Sequence, residues 1–254
     1  MLDLVIDIGN SRIKGALFEE KTLIDVFSFP AQPTPHDQLV HYLEGKPIAN
    51  VLISSVNSKA ESGVKNYLDQ KKIVYRFLDY KALKMTFDVD EPEQLGHDRI
   101  ANAYGALSRF SINDCIIVDI GTAITLDFVT KEGHYLGGMI YLGADLCSKA
   151  LSDYTDKLPR VSPGKPESAL AKTTVTHLQA GIYYGQLGAI ERMIAELRLT
   201  AVSPSSVKII ATGGATTNEP VHAPFIEDLR ELVDFIDPHL TLVGLHEILI
   251  ETAK

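Results

Sequence analysis

Apolar runs separated by short polar turns divide the chain into two halves of similar design. In the first half, the runs at 3–8, 12–18 and 21–29 predict three strands, and Gly9-Asn10-Ser11 predicts a hairpin turn between the first two. Alternating helices and strands are predicted to follow: a helix near 37–44, a strand at 50–56, a helix near 59–71 and a strand at 73–78. The first half is therefore predicted to be an α/β unit.

The second half begins with the same order of elements. CIIVDI, AITLDFVT and GHYLGGMIY predict three more strands in succession. The remaining elements are predicted to be a helix at 144–153, a long amphipathic helix at 174–199, the strand VKIIAT, a Gly-Gly turn, a further helix and a closing helix near 244–252. Two sets of three strands with crossover helices predict a duplicated α/β domain, with one copy in residues 1–112 and the other in 113–254. The loop at 152–174 is long and contains prolines, so we expect it to lie over a site or an interface.

The composition is that of a globular protein and restricts its partners. Lys and Arg total 24 against 33 for Asp and Glu, which gives a net charge of −9. This mildly acidic balance offers no general attraction to nucleic acid or to an anionic membrane, so neither is expected as a partner. No run approaches the ~18 apolar residues of a membrane span, and the N-terminus lacks a signal-peptide pattern, so we expect a cytoplasmic protein. Cys115 and Cys147 are expected to be reduced thiols, since their spacing fits no metal site.

The stretches LVIDIGNSRIKGALF (4–18) and IIVDIGTAITLDFV (116–129) repeat one pattern, an apolar strand followed by Asp-Ile-Gly and a small polar residue. In such a turn, glycine lets the backbone approach a ligand closely, and consecutive N–H groups can hold an anion. Lys14 can place a positive charge near a phosphate. Asp7 and Asp119 end their strands, where a carboxylate is costly unless a cation meets it. The repeat therefore predicts two phosphate-binding hairpins for a metal–nucleotide.

A single Asp-x-Gly turn is also an ordinary β-turn sequence, because turn chemistry favours these residues. Three features favour the nucleotide site: the duplication, the second strand after each turn, and ATGGAT at 211–216 after a third apolar strand. There, Gly213 and Gly214 leave bare backbone against which a flat adenosine can lie.

Another candidate site lies between the two hairpins, in EPEQLGHDRIANAYGAL (91–107). Asp98 and Arg99 stand at the start of a predicted helix, where the N–H groups stabilise an ionised carboxylate. Arg99 supplies a planar fork that suits the carboxylate of a substrate. An acid in the first turn beside a surface arginine is also common in helices that have no catalytic role.

Taken together, five motifs closely resemble type III pantothenate kinases over nearly the full length: DIGNSRIK, GHDR with the following IANA, DIGTAIT, GGMI-x-x-G and TTVTHLQAGIYYG. The paired hairpins and the Gly-Gly turn also resemble the wider actin, Hsp70 and sugar-kinase superfamily. The resemblance implies an α/β fold of duplicated actin-like (ribonuclease H-like) domains, with mixed central sheets and an ATP cleft between them. It implies a kinase that phosphorylates pantothenate with ATP, the first step of coenzyme A biosynthesis. It also implies a homodimer with the active site near the subunit interface.

The resemblance implies roles for individual residues. Eight consecutive residues match the first ATP phosphate loop: Asp7, Ile8, Gly9, Asn10, Ser11, Arg12, Ile13 and Lys14. In this loop Asp7 is expected to orient magnesium, through water. Thr122 matches a further ATP contact, and Gly213 and Gly214 form the adenosine turn. Asp119 matches the ligand of a monovalent cation, potassium or ammonium, that the family requires.

The same resemblance implies the substrate site. Asp98 matches the general base that takes the proton from the primary hydroxyl of pantothenate. Gly96 and His97 match the rest of the substrate motif, and Arg99 is expected to reach the pantothenate carboxylate. Thr174 matches a threonine before the long helix that contacts pantothenate near the partner subunit.

Three positions depart from the family pattern. Ser11 stands where threonine is usual and keeps the hydroxyl. Leu142 replaces a customary proline in GGMIYLG, which removes no reactive group. Val89 falls where an aromatic residue that contacts pantothenate is common, which puts the affinity for substrate in question but not the reaction.

Two other functions fit parts of this pattern. An ATP-binding transcriptional accessory factor or scaffold could use the same fold without transferring phosphate, but it would need neither Asp98 nor Arg99. Another small-molecule kinase or phosphatase of the superfamily would keep both hairpins but lack the GHDR segment. The retained GHDR residues therefore favour the pantothenate kinase.

Overall fold

The computed structural model describes residues 1–32, 36–110, 113–217 and 219–253. The strands are β1 (Leu2–Ile8), β2 (Arg12–Glu19), β3 (Thr22–Pro30), β4 (Ile48–Ser55), β5 (Arg76–Phe77), β6 (Thr86–Phe87), β7 (Cys115–Ile120), β8 (Ala123–Val129), β9 (His134–Leu142), β10 (Lys208–Thr212) and β11 (Phe235–Ile236). The α-helices are α1 (His36–Leu43), α2 (Ser58–Gln70), α3 (His97–Phe110), α4 (Ala144–Asp153), α5 (Thr174–Arg198), α6 (Ala223–Leu229) and α7 (Leu240–Thr252).

The chain divides into two compact units. The first unit contains Met1–Ser111 and His239–Lys254, and the second contains Ile112–Pro238. The first stretch ends at Ser111, one residue before the predicted end of the first copy at 112. The closing helix α7, however, was assigned by the sequence to the second copy, and it packs instead with the first unit.

The first unit is built on a mixed sheet in the order β3-β2-β1-β4-β5. Strand β1 lies at its centre, antiparallel to β2 and parallel to β4. Both faces of β1 are covered: Leu4, Ile6 and Ile8 pack in a core with α1 and α2, whereas Val5 packs in a core with α3 and α7. Burial on both faces explains why this strand is an unbroken apolar run rather than an alternating one.

Helix α7 is attached to the first unit by close packing and by hydrogen bonds. Gly244 lies so close to α3 that an added Cβ would be 1.7 Å from the carbonyl oxygen of Ala101. The Arg76 guanidinium donates to the carbonyl oxygens of Leu249 and Thr252, each at 2.7 Å. These carbonyls are among the last of α7, where no backbone N–H is available to them, so Arg76 caps the helix.

The second unit repeats the arrangement around strand β7. Its strands follow the order β11-β10-β7-β8-β9, with β8 antiparallel and β10 parallel to β7. Residues Ile116, Val118 and Ile120 of β7 pack on one face with the apolar side of α5. Asp119 therefore points to the opposite face, because successive strand residues alternate.

The two cysteines are free thiols, as the sequence predicts. Burial, reinforced by the neighbouring Asp114 carboxylate, raises the pKa of the Cys115 thiol to about 12. Cys115 is therefore a core residue that stays protonated near neutral pH.

Most predicted elements are confirmed within a few residues, and two differ clearly. The closing helix begins at Leu240 instead of near residue 244. The strand predicted at 73–78 is reduced to Arg76 and Phe77, because only these two residues are paired with β4. None of the helices formed by the described residues is both long and apolar enough for a membrane crossing.

Candidate active site

The first Asp-Ile-Gly turn is closed by its glycine. The Gly9 N–H donates to the carbonyl oxygen of Arg12 at 3.0 Å, which leaves Asn10 and Ser11 exposed at the tip. The Asn57 side-chain amide approaches the carbonyl oxygens of Gly9 and Asn10, each at 3.4 Å. The Asn57 side-chain oxygen also accepts from the Ala60 N–H at the start of α2. Asn57 thus ties the turn to the N-terminus of this helix.

Asp7 lies beneath this turn with Lys14 and Ser54 on either side. These residues are directly opposite Asp7 on β2 and β4. The Ser54 hydroxyl is fully buried and donates to Asp7 Oδ1 at 3.0 Å. Asp7 shares its face of the sheet with Val5, on the side where α3 and α7 pack. The carboxylate is therefore held by a fixed donor on the face that also carries the GHDR helix.

Three other residues of the predicted phosphate loop are directed elsewhere. The side chains of Ile8 and Ile13 are fully buried in the α1/α2 core, so only their backbone groups are available to a ligand. The Arg12 guanidinium binds Ser28 of β3, through the hydroxyl at 2.8 Å and the carbonyl at 3.2 Å.

The GHDR segment begins helix α3, as predicted. Asp98 lies in its first turn, where the helix N–H groups favour a carboxylate, and its Oδ1 accepts from the Arg99 N–H at 2.9 Å. An added Cβ on Gly96 would lie 2.5 Å from Asp98 Oδ1. The glycine is therefore needed to let the carboxylate fold back over the start of the helix.

His97 is the first residue of this helix, and Val89 lies eight residues before it in the chain. Burial lowers the pKa of His97, although the nearby Asp98 and Asp79 carboxylates act in the opposite direction. The His97 Nδ1 atom is buried and has no hydrogen-bond partner among the described residues. The His97 imidazole is therefore neutral at neutral pH, and its Nδ1 atom makes no hydrogen bond to the described residues. Val89 is half-buried in a bend between β6 and α3.

Replacing Gly96 with alanine is expected to lower kcat by about 10–100-fold, because displacement of a reacting group by about 1 Å has effects of that size. The added methyl group must push the Asp98 carboxylate aside, since the two would be 2.5 Å apart. Steady-state kinetics on Gly96→Ala, Asp98→Asn and the double variant form a double-mutant cycle. If Gly96 acts through Asp98, the alanine adds little to Asp98→Asn; fully multiplicative losses would contradict this explanation.

The second Asp-Ile-Gly turn is similar but shorter. The Gly121 N–H donates to the carbonyl oxygen of Ala123 at 3.0 Å, so the turn contains only Gly121 and Thr122. Gly143, at the start of α4, donates to the Thr122 carbonyl oxygen at 3.0 Å. A Cβ on Gly143 would lie 2.2 Å from the Gly121 carbonyl oxygen, so this approach requires glycine. Thr122 itself is exposed at the tip.

Asp119 lies beneath the second turn and against the Gly-Gly turn. Gly213 has φ +102°, and an added Cβ would lie 2.4 Å from Asp119 Oδ1. Gly214, in contrast, has open space where a Cβ would stand. Thr212 is directly opposite Asp119 on β10. The structure therefore brings Asp119 and the predicted adenosine turn together within the second unit.

Thr174 is the first residue of α5, and Thr173 caps that helix by accepting from the Thr176 N–H. Thr174 borders a cavity of about 470 Å³ formed by α4, α5 and the loop between them. The loop, which contains no helix or strand, is held to α4 by the Ser148 hydroxyl, which donates to the Val161 carbonyl and accepts its N–H. The other residues that line the cavity are mostly apolar: Cys147, Leu151, Leu158, His177, Leu178, Gly181 and Ile182.

The side chains at the two hairpins could supply only a few ligands to an ion. They fit ions whose other ligands are oxygen atoms of the nucleotide and of water. Among the residues whose structure is described, no three His, Cys, Asp or Glu side chains cluster as a metal site. Each hairpin instead presents one aspartate with one hydroxyl residue opposite it, Asp7 with Ser54 and Asp119 with Thr212. Magnesium bound with ATP commonly uses only one or two protein carboxylates.

Sequence reasoning identified the carboxylates and the turns, but it assigned no role to Gly143 and Thr212, which lie within the quoted motifs GGMI-x-x-G and ATGGAT, and it did not single out Ser54 or Asn57. Ser54, Asn57, Gly143 and Thr212 each follow or end an apolar strand, or precede a helix. That position, at the carboxyl ends of parallel strands or at a helix start, was the available signal.

Solved structures with the same architecture define the class of the fold. A Baf family transcriptional activator from Campylobacter jejuni superposes with a TM-score of 0.58 at 24% identity, covering 98% of each chain. A ROK family glucokinase from Streptomyces griseus, solved with glucose and AMPPNP, gives a TM-score of 0.52 at 14% identity, covering 99% of this chain and all of its own. At these identities the likeness concerns the fold, which is the duplicated actin-like fold of sugar kinases and related ATPases.

The family within this class follows from the sequence comparisons. The family model for type III pantothenate kinase matches residues 3–196. The type III pantothenate kinase of Geotalea uraniireducens is 34% identical over 256 aligned positions, covering 95% of each chain. The chain therefore belongs to the type III pantothenate kinase family and is an ATP-dependent kinase.

Proposed function

We propose that this protein transfers the γ-phosphate of ATP to the primary hydroxyl of pantothenate, giving 4′-phosphopantothenate, the first step of coenzyme A biosynthesis. Family membership supports the reaction class, and one structural observation supports the chemistry. Asp98 stands ionisable at the first turn of α3, on the side of the first sheet that also carries Asp7. Phosphoryl transfer needs an acceptor-side group and a nucleotide-side group to act on the same phosphate.

On the acceptor side, Asp98 is proposed as the general base. Its carboxylate accepts the proton of the attacking hydroxyl, and the α3 N–H groups favour the ionised form that can do so. Arg99 is proposed to bind the pantothenate carboxylate, and Gly96 to leave room for the base. His97 is proposed to complete the substrate motif; its Nδ1 atom is buried and has no hydrogen-bond partner among the described residues. Val89 would contribute only an aliphatic contact.

On the nucleotide side, the first turn is proposed to bind phosphate through its backbone N–H groups and the side chains of Asn10, Ser11 and Lys14. Asp7 would hold magnesium through water, with Ser54 fixing the carboxylate. Magnesium, when bound, neutralises charge on the transferred phosphate. Arg12 is expected to act by stiffening the hairpin, since its guanidinium binds Ser28.

The second hairpin is proposed to contact ATP through Thr122 and to bind a monovalent cation, potassium or ammonium, through Asp119. Gly213 and Gly214 would present bare backbone to adenosine. One carboxylate with a neutral hydroxyl residue opposite it is compatible with a singly charged ion, and the assignment of that ion to this hairpin follows from the family resemblance of Asp119.

We further propose a cytoplasmic homodimer in which Thr174 approaches the pantothenate site of the partner subunit. Supporting this, α5 exposes Val175 and Tyr184 along its length, and β9 exposes Ile140. Exposed apolar side chains are typical of a protein interface when they form one contiguous patch.

The proposed reaction predicts potassium-dependent formation of 4′-phosphopantothenate from pantothenate and ATP. The product is measured by mass spectrometry beside a coupled ADP assay, with potassium or sodium as the only monovalent cation. Two analogues of pantothenate test its hydroxyl and its carboxylate separately. The analogue without the primary hydroxyl should give no product, and the analogue with an amidated carboxylate should have a higher KM than pantothenate. ATP binding without any product would instead identify a scaffold, and transfer to unrelated hydroxy acids alone would reject pantothenate.

A further inference from the structure

A buried hydroxyl beside Asp119 has no use within the described fold. Thr212 is the last residue of β10 and is fully buried. Its Oγ1 atom has no hydrogen-bond partner among the described residues. Buried polar atoms are nearly always paired, so an unpaired one indicates an additional partner that binds there.

The strand register places this hydroxyl next to Asp119. Thr212 and Asp119 are directly opposite each other in the parallel pair formed by β10 and β7. Neighbouring residues Ile209 and Ala211 of β10 face the core beneath α5, so Thr212 faces the other side, as Asp119 does. Adjacent strands lie about 4.8 Å apart, which allows both side chains to contact one small ion.

The first unit also pairs an aspartate with a hydroxyl residue on the neighbouring strand, but there the hydroxyl is hydrogen-bonded to the aspartate. Ser54 occupies the position opposite Asp7, and its hydroxyl donates to that carboxylate at 3.0 Å. The hydroxyl of Thr212 is in the equivalent place but unpaired. The residue that follows it, Gly213, closes tightly on the Asp119 carboxylate, since even a Cβ would be 2.4 Å from Oδ1. Thr212 is thus the neutral oxygen donor next to this carboxylate.

We propose that Thr212 Oγ1 is a second protein ligand, beside Asp119, of the monovalent cation. This inference rests on the proposed function, which gives Asp119 to that ion. A hydroxyl oxygen keeps two lone pairs for a cation, and it adds no charge. One carboxylate with neutral oxygens can balance a single positive charge, and the choice of a monovalent ion for this hairpin follows from the proposed role of Asp119.

Two substitutions separate the hydroxyl from the rest of the side chain. Thr212→Val keeps the shape and burial but removes the oxygen, and Thr212→Ser keeps the oxygen. The valine variant is expected to need about tenfold more potassium for half-maximal activity, equivalent to about 1.4 kcal/mol. The serine variant should stay close to the unsubstituted protein. As a readout independent of turnover, the gain in Tm on replacing sodium with potassium, measured with ADP bound, should disappear only in the valine variant.

Thr241→Val provides the matched control. Thr241 is a buried threonine of the first unit, where its hydroxyl donates to Asn102 at 2.7 Å. The Thr241→Val substitution should lower Tm without changing the potassium concentration for half-maximal activity or the potassium-dependent gain in Tm.

The outcomes separate this inference from the proposed function. If the unsubstituted protein phosphorylates pantothenate with a potassium requirement, but Thr212→Val keeps the same midpoint, Thr212 is not a ligand. A lower kcat at an unchanged midpoint also overturns the inference, because it assigns Thr212 to positioning Asp119. Absence of any potassium effect in the unsubstituted protein rejects the cation role of Asp119 and the inference with it, while kinase activity is scored independently.

Discussion

Replacing Asp98 with asparagine is expected to lower kcat for pantothenate phosphorylation by roughly 10²–10⁴-fold, the usual contribution of a general base. Asparagine keeps the size of the side chain and its acceptor oxygen, so the contact with the Arg99 N–H at 2.9 Å can persist. It cannot take the proton of the attacking hydroxyl. The affinity for ATP should change little, because Asp98 acts on the acceptor. Single-turnover kinetics and calorimetric titration of ATP measure the two effects separately.

Asp37→Asn is the matched control for this substitution. Asp37 is also an acid in the first turn of a helix of the first unit, but its helix α1 packs on the other face of the sheet. Both substitutions remove a favourable charge from a helix N-terminus, which contributes about 0.3–1 kcal/mol to stability. Only Asp98→Asn should affect kcat. Turnover by Asp98→Asn at the unsubstituted rate would show that another group accepts the proton.

The parts of the site that could be predicted from the sequence are formed by residues that lie close together in the chain. An apolar strand, Asp-Ile-Gly and a second strand form a local hairpin, so Asp7 and Asp119 could be placed at strand ends without knowledge of the fold. The start of α3 was equally local, since an acid after a glycine at the head of an amphipathic segment is a helix-start signal. These predictions depend on neighbours a few residues apart in the chain.

The parts that the sequence could not supply depend on register between distant strands. Ser54 lies 47 positions from the aspartate to which it donates, and nothing around it differs from an ordinary strand end. Thr212 has meaning only because β10 pairs with β7 at Asp119. Sequence similarity also treated Ile8 and Ile13 as members of the phosphate loop, whereas alternation turns their side chains into the core. The predicted hairpin is present, whereas the direction of its side chains was not predicted, and its role as a phosphate loop stays a prediction.

The position of α7 illustrates the same limit on a larger scale. Chain order assigned this helix to the second copy, but packing of Gly244 on Ala101 and the hydrogen bonds from Arg76 attach it to the first unit. Its contacts place it beside α3, the helix that carries Asp98. The C-terminal residues therefore support the acceptor side of the proposed site, although they are the most distant from it in sequence.

Replacing Gly213 with alanine is expected to destabilise the protein by roughly 2–6 kcal/mol, the sum of positive-φ strain and overpacking. Its φ of +102° is unfavourable for any residue with a side chain, and the added Cβ would lie 2.4 Å from Asp119 Oδ1 and 2.6 Å from the Ile120 backbone. The backbone cannot move aside as a flexible side chain could. Thermal unfolding should show a decrease in Tm of roughly 4–24 °C, given about 2–4 °C per kcal/mol for a chain of this size.

Gly214→Ala distinguishes the fold of this turn from its proposed contact with adenosine. An added Cβ on Gly214 would have no neighbouring atom within 4 Å, so the Tm of Gly214→Ala should stay within a few degrees of that of the unsubstituted protein. If adenosine lies against this backbone, the same methyl group should still raise KM for ATP, whereas KM for pantothenate should not change. Gly213→Ala should impair stability, ATP binding and potassium activation together, because its methyl group displaces the Asp119 carboxylate. An unchanged Tm in Gly213→Ala would show that this turn is not constrained as described, and an unchanged KM for ATP in Gly214→Ala would remove adenosine from it.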